Sequence, residues 1–472
     1  MRLVSISVRN LRVRLVSTVL TTLSTILATA LYAAIMMMAD QTRQRYEGSI
    51  GGFQAVVGPK DASQLELLLN TIFNVGNAPG LVPKKVCDDL RSGRVGRRSK
   101  VRYAIPQARG DSISKYAFPV IGTIDEMFTK YEWLQNAGDV DEGRAPLVFA
   151  EGGPWEFSYE QLNELSEALA VYESARRAEA EELPERPLMK KEWRKAVIGS
   201  RVARTLDLGL GSVITPVHGK LGEFGYHEHP EASCEVVGIL APTNSPLDTT
   251  VFLPLGTHLL IGGHEEGLFK VEIPPGKNPD QAARMPVRAD QIAFTAIIAD
   301  PLDHFGATIL RREFGTRPDA QVAWPQDVIP KFLAQIGNVA DALEVVAWLV
   351  LVVAAIAIAV AIYNTMNERR REIAIMRSLG ARRQQITAII VGEAALISLF
   401  GAVVGVLVCH LAAFLLRGLV EDLTGVYLDW AAFASRELYL VLAVGVLGAA
   451  AGFLPALKGS FTQVADNLSP SY

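Results

Sequence analysis

The sequence predicts a membrane protein with four transmembrane α-helices and a large α+β extracytoplasmic domain inserted between helices 1 and 2. Three observations predict it. Hydrophobic residues make up 50% of the chain and mean hydropathy is +0.22, with the apolar residues gathered into a few long runs. Residues 40–340 hold no run long enough to cross a bilayer. Arginine is dense in residues 2–14 and again in 369–383, each beside an apolar run.

Residues 1–14 form an expected cytoplasmic segment, carrying Arg2, Arg9, Arg12 and Arg14 without an acid. Residues 15–38 follow with no charge. At about 1.5 Å per residue such a run spans a ~30 Å hydrocarbon core. It exceeds the apolar region of about 7–15 residues of a signal peptide, so an uncleaved first span is expected. Its hydroxyl residues, among them Thr21, Ser24, Thr25 and Thr29, can bond across helices or to their own backbone.

Strand-like runs recur through the domain at 53–57, 118–124, 147–150, 196–199, 212–217, 234–240, 250–255, 268–273 and 292–298. Helix-like stretches fall at 62–73 and at 201–206, the second closed by Gly209. Residues 157–187 stand apart as a helical insert. Leu162, Leu165, Leu169 and Tyr172 make one helical stripe there, and Pro184 and Pro187 end it. A single stripe needs only one surface to cover it, which points to docking on its own domain.

The second span is expected at 345–363, a cytoplasmic connector at 364–385, the third span at 386–416, a short loop at 417–437, the fourth span at 438–457 and a cytoplasmic tail at 458–472. Orientation follows from basic residues close to the spans. The connector holds Arg369, Arg370, Arg371, Arg377, Arg382 and Arg383, whereas the 417–437 loop has only Arg417 and Arg436. This predicts both termini and the connector inside, and the large domain outside.

Cys87, Cys234 and Cys409 make neither a disulfide framework nor a zinc spacing, although Cys87 and Cys234 would be able to pair in an oxidising compartment. Within the connector, Glu372, Ile375, Met376 and Leu379 recur at helical spacing and Gly380 sits where a helix would stop. Such a helix can lie in the lipid interface or dock into a groove on a partner, because both use the same amphipathic physics. Gly401 with Gly405, and Gly448 with Gly452, stand four apart in the third and fourth spans, a spacing that lets helices approach closely. Glu393 is the acid inside the third apolar run, where structural pairing is expected ahead of proton or substrate handling.

His227 and His229, with His218, Glu231 and Cys234 nearby, are of metal-ligand type, but Gly225 and Pro230 favour a solvated loop. His258, His264, Glu265 and Glu266 lie in a separate segment that nothing in the sequence joins to them. No metal, cofactor or catalytic residue is therefore expected. No phosphate loop is present: Gly262 and Gly267 have the spacing, but Leu268 and Phe269 replace its Lys and Ser/Thr. Nucleic-acid-binding and enzymatic motifs are also missing from the sequence.

From Glu368 to Ala381 the connector reads ERRREIAIMRSLGA, followed by Glu393, Gly401 and Gly405. This closely resembles the FtsX-like permease domain shared by ABC transporters of the MacB and lipoprotein-releasing LolC/LolE type. The domain sequence also resembles that family's periplasmic core, at Gly143 and Arg144, at 196–203 with 211–214, and at 236–240 through 252–254. The insert and the 218–229 stretch depart from the pattern. The resemblance implies a type VII, mechanotransmission permease subunit in the bacterial inner membrane. Glu368, Arg369, Arg370, Glu372, Ile373, Ile375, Met376, Arg377, Leu379 and Gly380 would form its ATPase-coupling helix. Partners implied are a separate ABC ATPase dimer that binds ATP and Mg, a second permease copy (a homodimer, or a paralogue), a periplasmic adaptor or lipoprotein, and membrane lipids. The cargo class would be a lipid, lipoprotein, peptide or drug. The alternatives are an FtsX-like signalling subunit that regulates a periplasmic enzyme such as a wall hydrolase, and a metal- or ligand-binding receptor.

Overall fold

A computed structural model of the chain describes residues 15–49, 54–94, 101–114, 117–133, 145–219, 226–243, 245–262, 267–271, 283–368, 370–424 and 429–460. The expected terminal segments 1–14 and 461–472, the turn at Gly143 and Arg144, and His264, Glu265, Glu266 and Arg369 lie outside the described residues. The chain divides into two compact units, Met1–Gln44 with Ala334–Tyr472, and Arg45–Leu333. The helices are α1 (Leu15–Ser49), α2 (Gln64–Phe73), α3 (Lys84–Ser92), α4 (Glu126–Thr129), α5 (Tyr159–Arg177), α6 (Ser200–Leu206), α7 (Leu255–Leu259), α8 (His304–Thr316), α9 (Pro325–Glu368), α10 (Arg370–Ser378), α11 (Arg383–Thr424) and α12 (Ser435–Ser460). The main sheet uses β1 (Ala55–Gly58), β2 (Val101–Ile113), β3 (Phe118–Thr123), β4 (Phe149–Gly152), β5 (Lys195–Ile198), β6 (Val213–Ile214), β7 (Val217–His218), β8 (His227–Glu228), β9 (Cys234–Leu240), β10 (Val251–Pro254), β11 (Ala296–Pro301) and β12 (Gln321–Ala323).

In the large domain the sheet runs β12-β1-β11-β2-β3-β10-β5-β9-β4, with β7 paired to β2 and β8, and β6 to β9. The β3–β10 and β5–β9 pairs are parallel and the others antiparallel. Both faces are covered, so side chains alternate between two cores. Val197, Ile121 and Phe252 enter the larger one, while Ala196, Ile198, Val120, Val251 and Leu253 enter the smaller. The larger core is aromatic at its centre: the Phe128 ring lies 5.2 Å from Trp155 and 5.6 Å from Phe252, both edge-on.

The longest strand, β2, escapes the sequence reading because Pro106, Gly110 and Arg109 interrupt its alternation. Arg109 is partly buried, and desolvation lowers its guanidinium pKa to about 9. It donates to the Asn70 carbonyl at 2.7 Å, to the Thr71 carbonyl and to Gln107 Oε1, tying β2 to the carbonyl end of α2. The expected 212–217 strand breaks into β6 and β7, and 292–298 breaks at Thr295, whose hydroxyl turns to the Gln107 carbonyl at 3.0 Å. Among the described residues of 268–273, Phe269 makes only an isolated bridge to Ile292.

Helix α5 forms as its sequence requires. Ser158 and Gln161 make a reciprocal capping box. Leu162, Leu165 and Leu169 enter the larger core, so the insert docks on its own domain. Tyr159 donates to Asp88 at 2.7 Å, and Ser174 bonds the Val287 backbone in both directions. The Cys87–Cys234 pairing is corrected: both are free and buried, one in each core, with burial pushing each thiol up to about 12.

Among the described residues, four helices are long and apolar enough to cross a membrane: Thr18–Gln41, Pro325–Asn364, Arg383–Val420 and Ser435–Lys458. α9 and α11, at 44 and 42 residues, outrun a ~30 Å hydrocarbon core. Three hydroxyls of α1 bond their own helix, Thr21 to the Thr18 carbonyl, Ser24 to the Leu20 carbonyl and Thr25 to the Thr21 carbonyl, each at 3.0 Å. Ala28, Tyr32 and Ala33 of α1 share a core with Ala347 and Leu351 of α9, Ala402 and Val406 of α11, and Leu440 and Val444 of α12.

Candidate functional site

The connector folds as a short helix, α10, held on one side and open on the other. Ile373 and Ala374 are 3% and 1% exposed. Ile373 joins a cluster with Ile358, Ile362 and Met366 of α9, Ile386 and Ile390 of α11, and Ala456 of α12. Met376 packs partly against the same cluster. On the opposite side Ile375 is 42% and Leu379 82% exposed, one helical turn apart. Among the described residues of the connector, Leu379 is thus largely uncovered and Ile375 partly so. The side chains of Glu368, Arg370 and Arg371 lie outside the described residues.

The helix stops in a Schellman turn. The Ala381 amide donates to the Met376 carbonyl at 3.0 Å and the Gly380 amide to the Arg377 carbonyl at 3.1 Å. Gly380 has φ +97°, which a side chain would strain. Gln385 accepts from the amide of Arg382, three residues before it, at 2.9 Å and opens α11. The connector is thus an elbow between two long helices.

The paired glycines pack within the unit. A Cβ at Gly401 would stand 2.8 Å from Thr25 Cβ, and one at Gly405 2.8 Å from the Ile26 carbonyl oxygen. One at Gly448 would overlap Ser398, and one at Gly452 would stand 2.6 Å from Ala394 Cβ. So Gly401 and Gly405 admit α1 against α11, and Gly448 and Gly452 admit α11 against α12. Glu393 is 8% exposed on α11, next to Ala394 of the connector cluster.

The structure pairs polar groups inside two apolar runs with acids just outside the runs. Tyr32 donates to Glu344 at 2.6 Å, linking α1 to α9. His410 lies 3.1 Å from Glu437 and stacks on Phe433, linking α11 to α12. A lone histidine inside an apolar run was the available signal, but its partner sits just outside the next run.

In the large domain, His227 and His229 part company. His227 is exposed on β8, opposite His218 of β7. His229 is buried and faces Asp111 of β2, as do His218 and His258. Glu231 sits 3.3 Å from His229. Burial works against the Glu231 carboxylate, but the amides of Glu231 and Gly262, together with His229, hold its pKa below the usual range. Cys234 lies in the smaller core, bonded to the Ala232 carbonyl. Among the described residues no group of three or more His, Cys, Asp or Glu side chains is placed to hold a metal ion.

Four candidate spans, with a large α/β domain between the first and second, define an integral membrane protein. Residues 344–464 match the family described as FtsX-like permease C-terminal. The matched stretch includes α10, α11 and α12. An uncharacterised ABC transporter permease of Methanocaldococcus jannaschii is 37% identical over 136 residues, covering 26% of this chain and 33% of the relative. The match thus spans about a third of that relative's length.

Proposed function

We propose that the chain is the permease subunit of an ABC transporter, and that α10 is where a separate ATPase subunit docks. The observation that carries this is the exposed Ile375 and Leu379 pair on a helix whose other face is anchored to α9, α11 and α12. An apolar pair on an arginine-rich helix suits a groove on a partner protein. Force on that pair would pass through Ile373 into three long helices at once. In this reading the connector and the termini lie in the cytoplasm and the large domain outside the inner membrane, which the basic residues beside the spans support. In this reading ATP is bound and hydrolysed by the partner, two permease copies sit on an ATPase dimer, and the large domain does mechanical work on a lipid, lipoprotein, peptide or drug, in the MacB/LolCDE manner. The test is ATP turnover by the purified complex with its ATPase. Leu379→Asp with Ile375→Asp should abolish permease-dependent stimulation and weaken co-purification, while Met376→Leu should leave both intact. Full stimulation in the double variant would exclude α10 as the coupling element.

A further inference from the structure

We propose that His410 and Glu437 bind one proton between them, and that this proton holds the segment 429–437, which leads into α12, against α1 and α11. The clasp lies within the membrane unit and does not depend on the coupling role of α10.

Hydrogen-bond chemistry sets the proton count. His410 Nδ1 lies 2.5 Å from the Trp430 carbonyl oxygen. A carbonyl can only accept, so Nδ1 carries a hydrogen. In a neutral imidazole Nε2 is then a bare lone pair. That Nε2 lies 3.1 Å from Glu437 Oε2. An ionised carboxylate is also an acceptor only, so the contact is a hydrogen bond when one further proton is present, on Nε2 or on the carboxyl. The His410 and Glu437 side chains are 6% and 10% exposed. Without the proton two lone pairs would face each other there, and a carboxylate would hold its charge away from water, a costly arrangement. With the proton the pair is neutral overall, whichever atom carries it.

The same residues gather the segment around them. The His410 ring stacks on Phe433 at 4.0 Å, and Phe414, one turn along α11, meets Trp430 edge-on at 5.1 Å. From α1, Gln41 donates to the Asp429 carbonyl at 2.9 Å and accepts from the Asp429 amide at 3.0 Å. Asp40 pairs with Arg436 at 2.8 Å. The clasp thus joins α1, α11 and α12 close to Gln44, where the first segment of the membrane unit ends. The other charges brought here have partners of their own or face solvent. Asp429 accepts from the Ala431 amide, Arg417 lies over the Phe414 ring, and Glu344 of α9 accepts from Tyr32. Asp341 of α9 is exposed. Closed, the His410–Glu437 pair holds one proton. Opened to water above the ordinary histidine range, near pH ~6.5, such a pair holds none. Closing therefore takes up a proton, and the clasp weakens as pH rises, by up to about tenfold per pH unit.

The rival reading is a fixed structural contact whose strength does not follow pH. Hydrogen exchange of the full chain in detergent separates the two, read at the amides of residues 429–437 from about pH 6 to about pH 9 and corrected for the intrinsic rate. The wild type should lose protection as pH rises, by about tenfold or more across that range. Glu437→Gln is the decisive variant. Its amide donates to the bare Nε2 without an added proton, so protection should persist and become flat with pH. His410→Phe should lower protection at every pH. In parallel, ¹⁵N-labelled histidine should show Nδ1 of His410 protonated in both the wild type and Glu437→Gln, the signal being assigned by its loss in His410→Phe. Flat protection in the wild type, a wild-type pH slope in Glu437→Gln, or a bare Nδ1 would overturn the proposal.

Discussion

The two units of this chain solve the packing problem in opposite ways. The large domain fills its core with bulk: Trp155, Phe157, Phe252 and Phe294 are all below 2% exposed. The membrane unit removes bulk, bringing Gly401, Gly405, Gly448 and Gly452 against threonine, alanine and serine. The difference follows from the solvent each faces. In water, removing apolar area is itself the driving force, at roughly 25 cal/mol per Å². Lipid is as apolar as leucine, so only close approach and specific contacts distinguish one helix pairing from another. The exposed leucines of α1, Leu20 and Leu27 among them, are on this view a solvent-facing surface rather than a defect.

Trp155→Ala should produce the largest effect. Its ring is wedged against Phe128 and its Nε1 donates to the Phe252 carbonyl at 3.3 Å. A loss of about 3–5 kcal/mol is expected. Hydrogen exchange resolved by unit should place that loss in the large domain. Gly405→Leu comes next. It drives a side chain into the α1 backbone, at a cost of about 1–3 kcal/mol or more. Exchange should then rise in α1 and α11. If either substitution loosened both units equally, the two cores would not be independent.

Acid should sharpen the contrast. Burial alone would raise Glu126, but hydrogen bonds and charge from Arg91 and Lys130 overcome it and hold the carboxyl below 4.5. Hydrogen bonding from Arg317 does the same for Asp319 against burial, below 3.8. A depressed folded-state value contributes stability that is full above the unfolded value and is lost as pH falls through the folded one. The large domain should therefore melt at progressively lower temperature below about pH 4.5, and Arg91→Met should shrink that dependence. A melting temperature flat down to pH ~3 would contradict the assignment. The smallest change is Leu27→Ala on α1, which is 62% exposed and should shift stability by no more than about 0.5 kcal/mol in detergent. A larger loss would mean that this face has a protein neighbour.

Much of this was legible from local pattern. The four spans, the insert helix with its leucine stripe, and the Gly380 stop all rest on residues a few positions apart, which is the range over which helical period and left-handed turns act. The strand β2 was not legible, because its Pro106 and Gly110 are turn residues in isolation and are overruled by pairing with β11 and β3. The glycine spacing announced close packing but not its partners; only the fold assigns one pair to α1 and the other to α11.

The same division runs through the candidate sites. By itself the sequence determined that an arginine-rich connector with apolar residues at helical spacing joins two spans. Tertiary structure decided which of those residues face outward, turning Ile373 and Met376 in and leaving Ile375 and Leu379 open. It also decided that His229 rather than His227 meets Asp111, with His258 joining from a segment the sequence could not connect. Local rules fix how a segment folds. Which distant side chains then meet depends on sheet order and register, and those are properties of the whole domain.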